Sequence, residues 1–115
     1  AEEYLDHIKT IFYWYHAWFQ MDDFNGCMFQ KAVEEVSKVY PSTMQPAMEY
    51  KEWLTERMRF ALEKLGVSQP FQLATMLASI LDGMTIQAQM DKGMVKIDEY
   101  WKRVYKLIQL ELMGD

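Results

Sequence analysis

The sequence predicts an all-α domain of five helices, and three observations carry that expectation. Apolar residues recur three and four positions apart along nearly the whole chain, the spacing of a single helical face. The alternating runs that mark half-buried strands are nearly absent. At 115 residues, half of them hydrophobic and a quarter charged, the chain has the length of one domain and the composition of a folding segment rather than a disordered one. No internal repeat or low-complexity stretch is visible.

The first helix is expected over about residues 2–21, with Tyr4, Leu5, Ile8, Ile11, Phe12, Trp14, Tyr15, Trp18 and Phe19 on one half and Glu2, Asp6, Lys9, Tyr13 and Gln20 on the other. A surface helix usually buries a stripe of about 100°, so a wider one predicts a central helix touching several neighbours. Asp22 and Asp23 can cap a second helix over 24–40. Its stripe is Met28, Phe29, Ala32, Val33, Val36, Val39 and Tyr40, and Pro41 stops it. Ser42 or Thr43 caps a third helix, 44–65, with Pro46 in its first turn and Ala47, Tyr50, Leu54, Met58, Ala61 and Leu65 inward. Gly66 is its left-handed terminator. The fourth helix, 69–91, opens at Ser68-Gln69-Pro70, carries Leu73, Leu77, Ile80, Leu81, Met84 and Ala88, and stops near Gly93.

The fifth helix, 98–113, has a charged arc of Asp98, Glu99, Lys102, Arg103, Lys106 and Gln109. Its apolar arc is wide, running from Leu107, Tyr100 and Val104 round to Ile108, Trp101, Leu112 and Tyr105. One sub-face can meet the core while the other stays open, and an exposed apolar ridge predicts a partner surface. A homodimer is the simplest form, since isologous pairs are the commonest oligomers. Ser79 and Gly83, small residues beside Met76 and Ile80 on the fourth helix, permit close approach. The expected pairing surface is therefore Met76, Ser79, Ile80, Gly83, Tyr100, Val104 and Leu107.

Charge and composition exclude several classes. Twelve Lys and Arg against seventeen Asp and Glu give a net charge of −5, the wrong sign for gripping a phosphate backbone. The longest apolar run, Ile11–Phe19, is broken by His16 and falls far below the roughly 20 residues of a bilayer span, so no membrane association is expected. The single Cys27 forms no internal disulfide, which makes the cytoplasm the default compartment. No metal site, catalytic site or cofactor is expected. His7 and His16 fall on opposite borders of the first helix, and neither H-E-x-x-H nor C-x-x-C occurs. No oriented base accompanies Cys27. The pairs Asp22-Asp23 and Glu34-Glu35 point apart on a helix, and phosphate-binding glycine loops are missing. The excess of ten Met, seven Tyr, six Phe and four Trp suits either a re-packable pocket or an ordinary core.

Three stretches, in order, resemble the C-terminal domain of TetR-family transcriptional regulators. They are GCMFQKAVEEV at 26–36, RFALEKLGV at 59–67 leading into SQPFQLATMLASILDGM at 68–84, and the closing YWKRVYKLIQLEL at 100–112. The resemblance covers the chain as an order of helices, and about a third of it as motif. It implies a ligand-binding domain whose last two helices pair with those of a second subunit in a four-helix bundle. The family's N-terminal helix-turn-helix domain is missing here, so contact with DNA is expected only through such a domain in a longer protein. The resemblance further implies a small-molecule effector, and the large residues that face inward at helical spacing place its pocket against the first helix, at Tyr15, Trp18, Phe19, Met28, Leu54, Met58 and Leu77, with Trp53 a further candidate. The rival expectation is a helical interaction module with a solid core and no ligand.

Overall fold

The computed structural model describes residues 2–22, 24 and 45–114, and it is all-helical over them. Four α-helices are described: α1 Glu2–Phe19, α2 Gln45–Leu65, α3 Pro70–Met90 and α4 Ile97–Leu112, with a 3-10 turn at Lys92–Met94 between the last two. These correspond to the first, third, fourth and fifth helices expected from sequence. The expected second helix, with Cys27 and Met28, its stop at Pro41 and the caps at Asp23 and Ser42 or Thr43 lie outside the described residues, as does the side chain of Ala47.

In α1 the acidic Glu2 and Glu3 occupy the first turn, where they favour the positive end of the helix dipole. Its buried line is Ile8, Phe12, Tyr15 and Phe19, at steps of four, three and four, with Tyr4, Leu5, Ile11 and Trp18 half-buried beside it. Trp14 departs from the expected inward half and is 54% exposed, because three neighbouring helices cover less of α1 than its apolar arc offers. The helix closes earlier than expected. The amides of Gln20 and Met21 bond three residues back, to the carbonyls of Ala17 and Trp18, which tightens the last turn.

α2 buries Leu54, Met58, Ala61 and Leu62, whereas Tyr50, expected inward, is exposed. Gly66 ends the helix as expected, at φ 102°. The amide of Gly66 reaches Glu63 O at 3.1 Å and that of Val67 reaches Leu62 O at 3.0 Å, the paired bonds of a left-handed cap. Val67 and Leu62 are both buried in the same core cluster.

α3 starts at Pro70 with Gln69, not Ser68, as its cap residue, and no side chain caps it. A proline pushes the residue before it out of helical conformation, which fixes the boundary at Gln69. Leu73, Ala74, Leu77, Leu81, Met84, Thr85 and Ala88 are buried, and the Thr85 hydroxyl is satisfied by donating to Leu81 O at 2.8 Å. After Met90 the Asp91 carboxylate accepts from Gly93 N at 2.9 Å, so the stop expected near Gly93 is a capped 3-10 turn.

α2 and α3 form the most extensive helix pair, and α1 touches α2, α3 and α4. A single buried cluster runs through all four helices. Ile8, Phe12, Phe19, Met58, Leu62, Leu77 and Leu81 have no exposure at all, and each such side chain contributes about 1.5–3 kcal/mol. Phe12 meets Trp101 of α4 with ring centroids 6.2 Å apart. Polar ties fix the helices laterally: the Tyr13 hydroxyl donates to Asp98 Oδ1 at 2.6 Å, Lys51 pairs with Asp82, and Lys92 Nζ donates to Met21 O at 3.0 Å. No described helix is long and apolar enough to cross a membrane.

Candidate functional site

Helices α3 and α4 bring part of the expected pairing surface together. Ile80, Tyr100, Val104 and Leu107 line one apolar groove of about 340 Å³, with Glu99 and Arg103 at its edge. Helical spacing explains the wall contributed by α4, since residues 100, 104 and 107 fall on one face. The Tyr100 hydroxyl crosses to Gln87 Oε1 of α3 at 3.1 Å and anchors one end. Val104 is the floor rather than a free ridge, 3% exposed and part of the chain's own core. Ile80, Tyr100 and Leu107 are half-buried against that core. Met76 is exposed, and so is Ser79, whose hydroxyl turns back to Thr75 O at 3.1 Å. A Cβ added to Gly83 would meet nothing within 4 Å, so the single chain leaves open space there. The exposed part of α4's apolar arc consists of Tyr105 and Leu112.

The residues expected to hold an effector are also gathered, but as packed core. Tyr15, Phe19, Leu54, Met58 and Leu77 are all buried in the main cluster, Trp18 is half-buried beside them, and Met28 lies outside the described residues. Around the end of α1 the rings stack on one another. Trp18 meets Phe24 edge-on at 4.8 Å, Phe19 meets Phe24 at 5.2 Å, and Trp14 stacks on Trp18 at 6.1 Å. At the rim of this aromatic cluster the Tyr15 and Tyr50 hydroxyls lie 3.5 Å apart. Burial foremost, then the Tyr50 hydroxyl and the charge of Asp82, push the Tyr15 phenol far above its usual range, so it stays protonated. Among the described residues, Tyr15 and Tyr50 thus bring hydroxyls to the edge of the cluster, and the ion pair of Lys51 with Asp82 ties α2 to α3.

Trp53, the further pocket candidate, lies away from the aromatic cluster. It is 54% exposed and stands on the outer side of α2, with the Arg57 guanidinium over its ring at 5.3 Å. Two open grooves meet at it. One, of about 600 Å³ between α1 and α2, has Tyr4, His7, Phe60 and Ala61 among its walls, with Glu3 and Glu56 beside them. The other, of about 680 Å³ between α2 and α3, carries Phe71 and Thr75 with Glu49, Lys51, Glu52 and Glu56. Arg59 binds Glu56 at 2.6 Å and also pairs with Glu63, and its hydrogen bond holds the Glu56 carboxyl below the usual carboxylate range. The signal for this surface was present in the sequence: Trp53 and Phe60 stand seven apart, two turns along one helix face, outside the Leu54–Met58–Ala61 line.

Among the described residues no three His, Cys, Asp or Glu side chains gather as a metal cage would require, and no buried side-chain polar atom lacks a partner. Comparison with protein-family models, with curated proteins and with solved structures gives no match.

Proposed function

We propose that this chain is the effector-sensing and pairing domain of a TetR-like transcriptional regulator. In this reading a second subunit docks through α3 and α4, and a helix-turn-helix domain elsewhere in the longer protein contacts DNA. The observation that carries the proposal is the apolar groove in which Ile80, Tyr100, Val104 and Leu107 meet, on the two helices where the resemblance expects pairing. The effector is a small apolar or amphipathic molecule that enters among Tyr15, Trp18, Phe19, Leu54, Met58 and Leu77 by moving packed side chains apart. The Met and aromatic content of this region suits such repacking, and Tyr15 and Tyr50 supply hydroxyls at its edge. An effector that binds one helix arrangement better than another shifts the population between them. In the pairing form that shift resets the spacing of two attached DNA-binding domains, for which half-sites about 34–36 Å apart are the requirement.

The experiment is a melting-temperature screen of the chain against small apolar and amphipathic compounds, repeated with Trp18→Ala, alongside a light-scattering mass. The proposal expects a dimeric mass and a compound that raises the melting temperature of the unmodified chain but not of the variant. A monomeric mass at all concentrations, with no compound shifting the transition, sinks it.

A specific observation favours a second reading, a helical protein-interaction module with a solid core. Tyr15, Phe19, Leu54, Met58 and Leu77 are at most 7% exposed, and none of them lines any of the three grooves described above. In that case every compound leaves the transition unchanged while a protein partner raises it.

A further inference from the structure

We propose that the two grooves meeting at Trp53 form a docking surface for a basic amphipathic helix of a partner protein, a role that does not depend on the chain belonging to a regulator. Three features of the surface select this occupant. The first is shape. Both grooves lie open to solvent on either side of one protruding indole, whereas sites for small molecules enclose most of their ligand. A helix laid along α2 has anchor residues on one face at steps of three, four and seven, so one anchor can enter each groove with Trp53 between them.

The second feature is apolar content. Trp53, Phe60 and Phe71 are each about half exposed and stand outside the buried cluster. Exposed aromatic residues are the side chains that dominate interface energetics. The third is charge. Four carboxylates, Glu3, Glu49, Glu52 and Glu56, border the grooves against two cations, Lys51 and Arg57. Lys51 is neutralised by Asp82 of α3. Arg59, which approaches from the next turn of α2, is shared between Glu56 and Glu63, so that triad keeps one negative charge. Arg57 lies over Trp53 and Lys64 over Phe60 at 5.4 Å, so one face of each ring is already taken by a cation of the chain's own. Lysines and arginines flanking the partner's apolar stripe therefore meet the carboxylates, while an acidic helix is repelled. The chain's net charge of −5 favours encounter with the same partner at longer range.

The test is fluorescence anisotropy with a labelled peptide of about 16 residues, Leu and Lys patterned as an amphipathic helix. A scrambled peptide of the same composition and a Leu/Glu helix serve as comparisons. The expected result is saturable binding of the Leu/Lys helix that weakens as salt rises, with the scrambled and acidic peptides at least about tenfold weaker. Trp53→Ala and Glu52→Lys each weaken it by about tenfold or more, and Gln109→Ala on the exposed charged arc of α4 leaves it unchanged. Both Trp53 and Glu52 are exposed, so circular dichroism should show the variants folded. Equal binding of the scrambled peptide, or unaltered affinity in both variants, overturns the proposal as mere attraction between opposite charges. Saturable binding of benzyltrimethylammonium at Trp53 without peptide binding makes this a small-cation site and overturns it too. So does self-association abolished by Trp53→Ala, which assigns the surface to a second copy of the chain.

Discussion

Tyr13 shows how a single side chain can join distant elements without entering the core. Its hydroxyl bridges 85 positions of sequence to Asp98, linking α1 to the first turn of α4. The hydrogen bond to Asp98, then burial, then the carboxylate's charge raise the Tyr13 phenol from 10.0 to about 12. The fold therefore favours the protonated phenol. The sign follows directly: a raised folded pKa supplies stability that is fully present below pH 10.0 and is lost as the pH climbs toward about 12. Tyr13→Phe should cost about 1 kcal/mol or less at neutral pH, because the bond lies at the surface. Urea unfolding of both forms between neutrality and high alkalinity should show the gap closing over that window. A gap independent of pH would mean that the hydroxyl contributes only by packing. Sequence periodicity puts Tyr13 on the polar side of its helix and stops there, since a bond across 85 positions depends on how the helices cross. The same limit explains Trp14, Tyr50 and Trp53. Periodicity assigns a face, but the neighbours decide whether that face is covered.

At the scale of elements, punctuation was far more legible than orientation. Pro70 and Gly66 set their boundaries through backbone geometry, which acts locally and needs no knowledge of the fold. The wide stripe of α1 correctly demanded several neighbours. What spacing could not supply was which arc of α2 would be outermost, because both the Leu54–Met58 line and the Trp53–Phe60 line have helical period. Two glycines allow opposite outcomes from the same substitution. At Gly66 an added Cβ would sit 3.8 Å from Leu112 Cδ2, an ordinary contact, so the cost of Gly66→Ala is the positive φ itself, about 1–2 kcal/mol. At Gly83 there is no neighbour within 4 Å and the backbone is helical. Gly83→Ala should therefore stabilise a monomeric form by about 0.5–1 kcal/mol. If a second subunit approaches closely at that point, the same methyl weakens the dimer. Chemical unfolding in a Leu107→Glu background, beside dissociation measured in the unmodified one, separates the two effects. Destabilisation by Gly83→Ala in both backgrounds would count against an open position.

The described residues gather much of their apolar surface into one shared core, and the chain's charge points away from nucleic acid. With a net charge of −5 the chain by itself should bind operator-length duplex DNA without sequence preference, and only at low salt. Selective binding at physiological salt in a gel-shift assay would contradict that. The most discriminating prediction concerns two residues three apart on α4 that sequence alone treats alike. Both Val104 and Leu107 belong to the expected pairing ridge, and on spacing alone glutamate at either splits a dimer. The structure separates them. Val104 is 3% exposed and sits in the chain's own core, so Val104→Glu places a charge without a partner in the interior and should cost about 3–5 kcal/mol. Leu107 is half-buried at the groove edge, where a carboxylate can turn to water in the single chain but not beneath a second subunit. Leu107→Glu should then keep its helicity and melt cooperatively while its light-scattering mass falls to that of one chain. Val104→Glu should lose the cooperative transition itself. If Leu107→Glu also unfolds, the groove edge belongs to the core rather than to an interface; if its mass equals that of an unmodified chain already monomeric, α3 and α4 have no second subunit to meet.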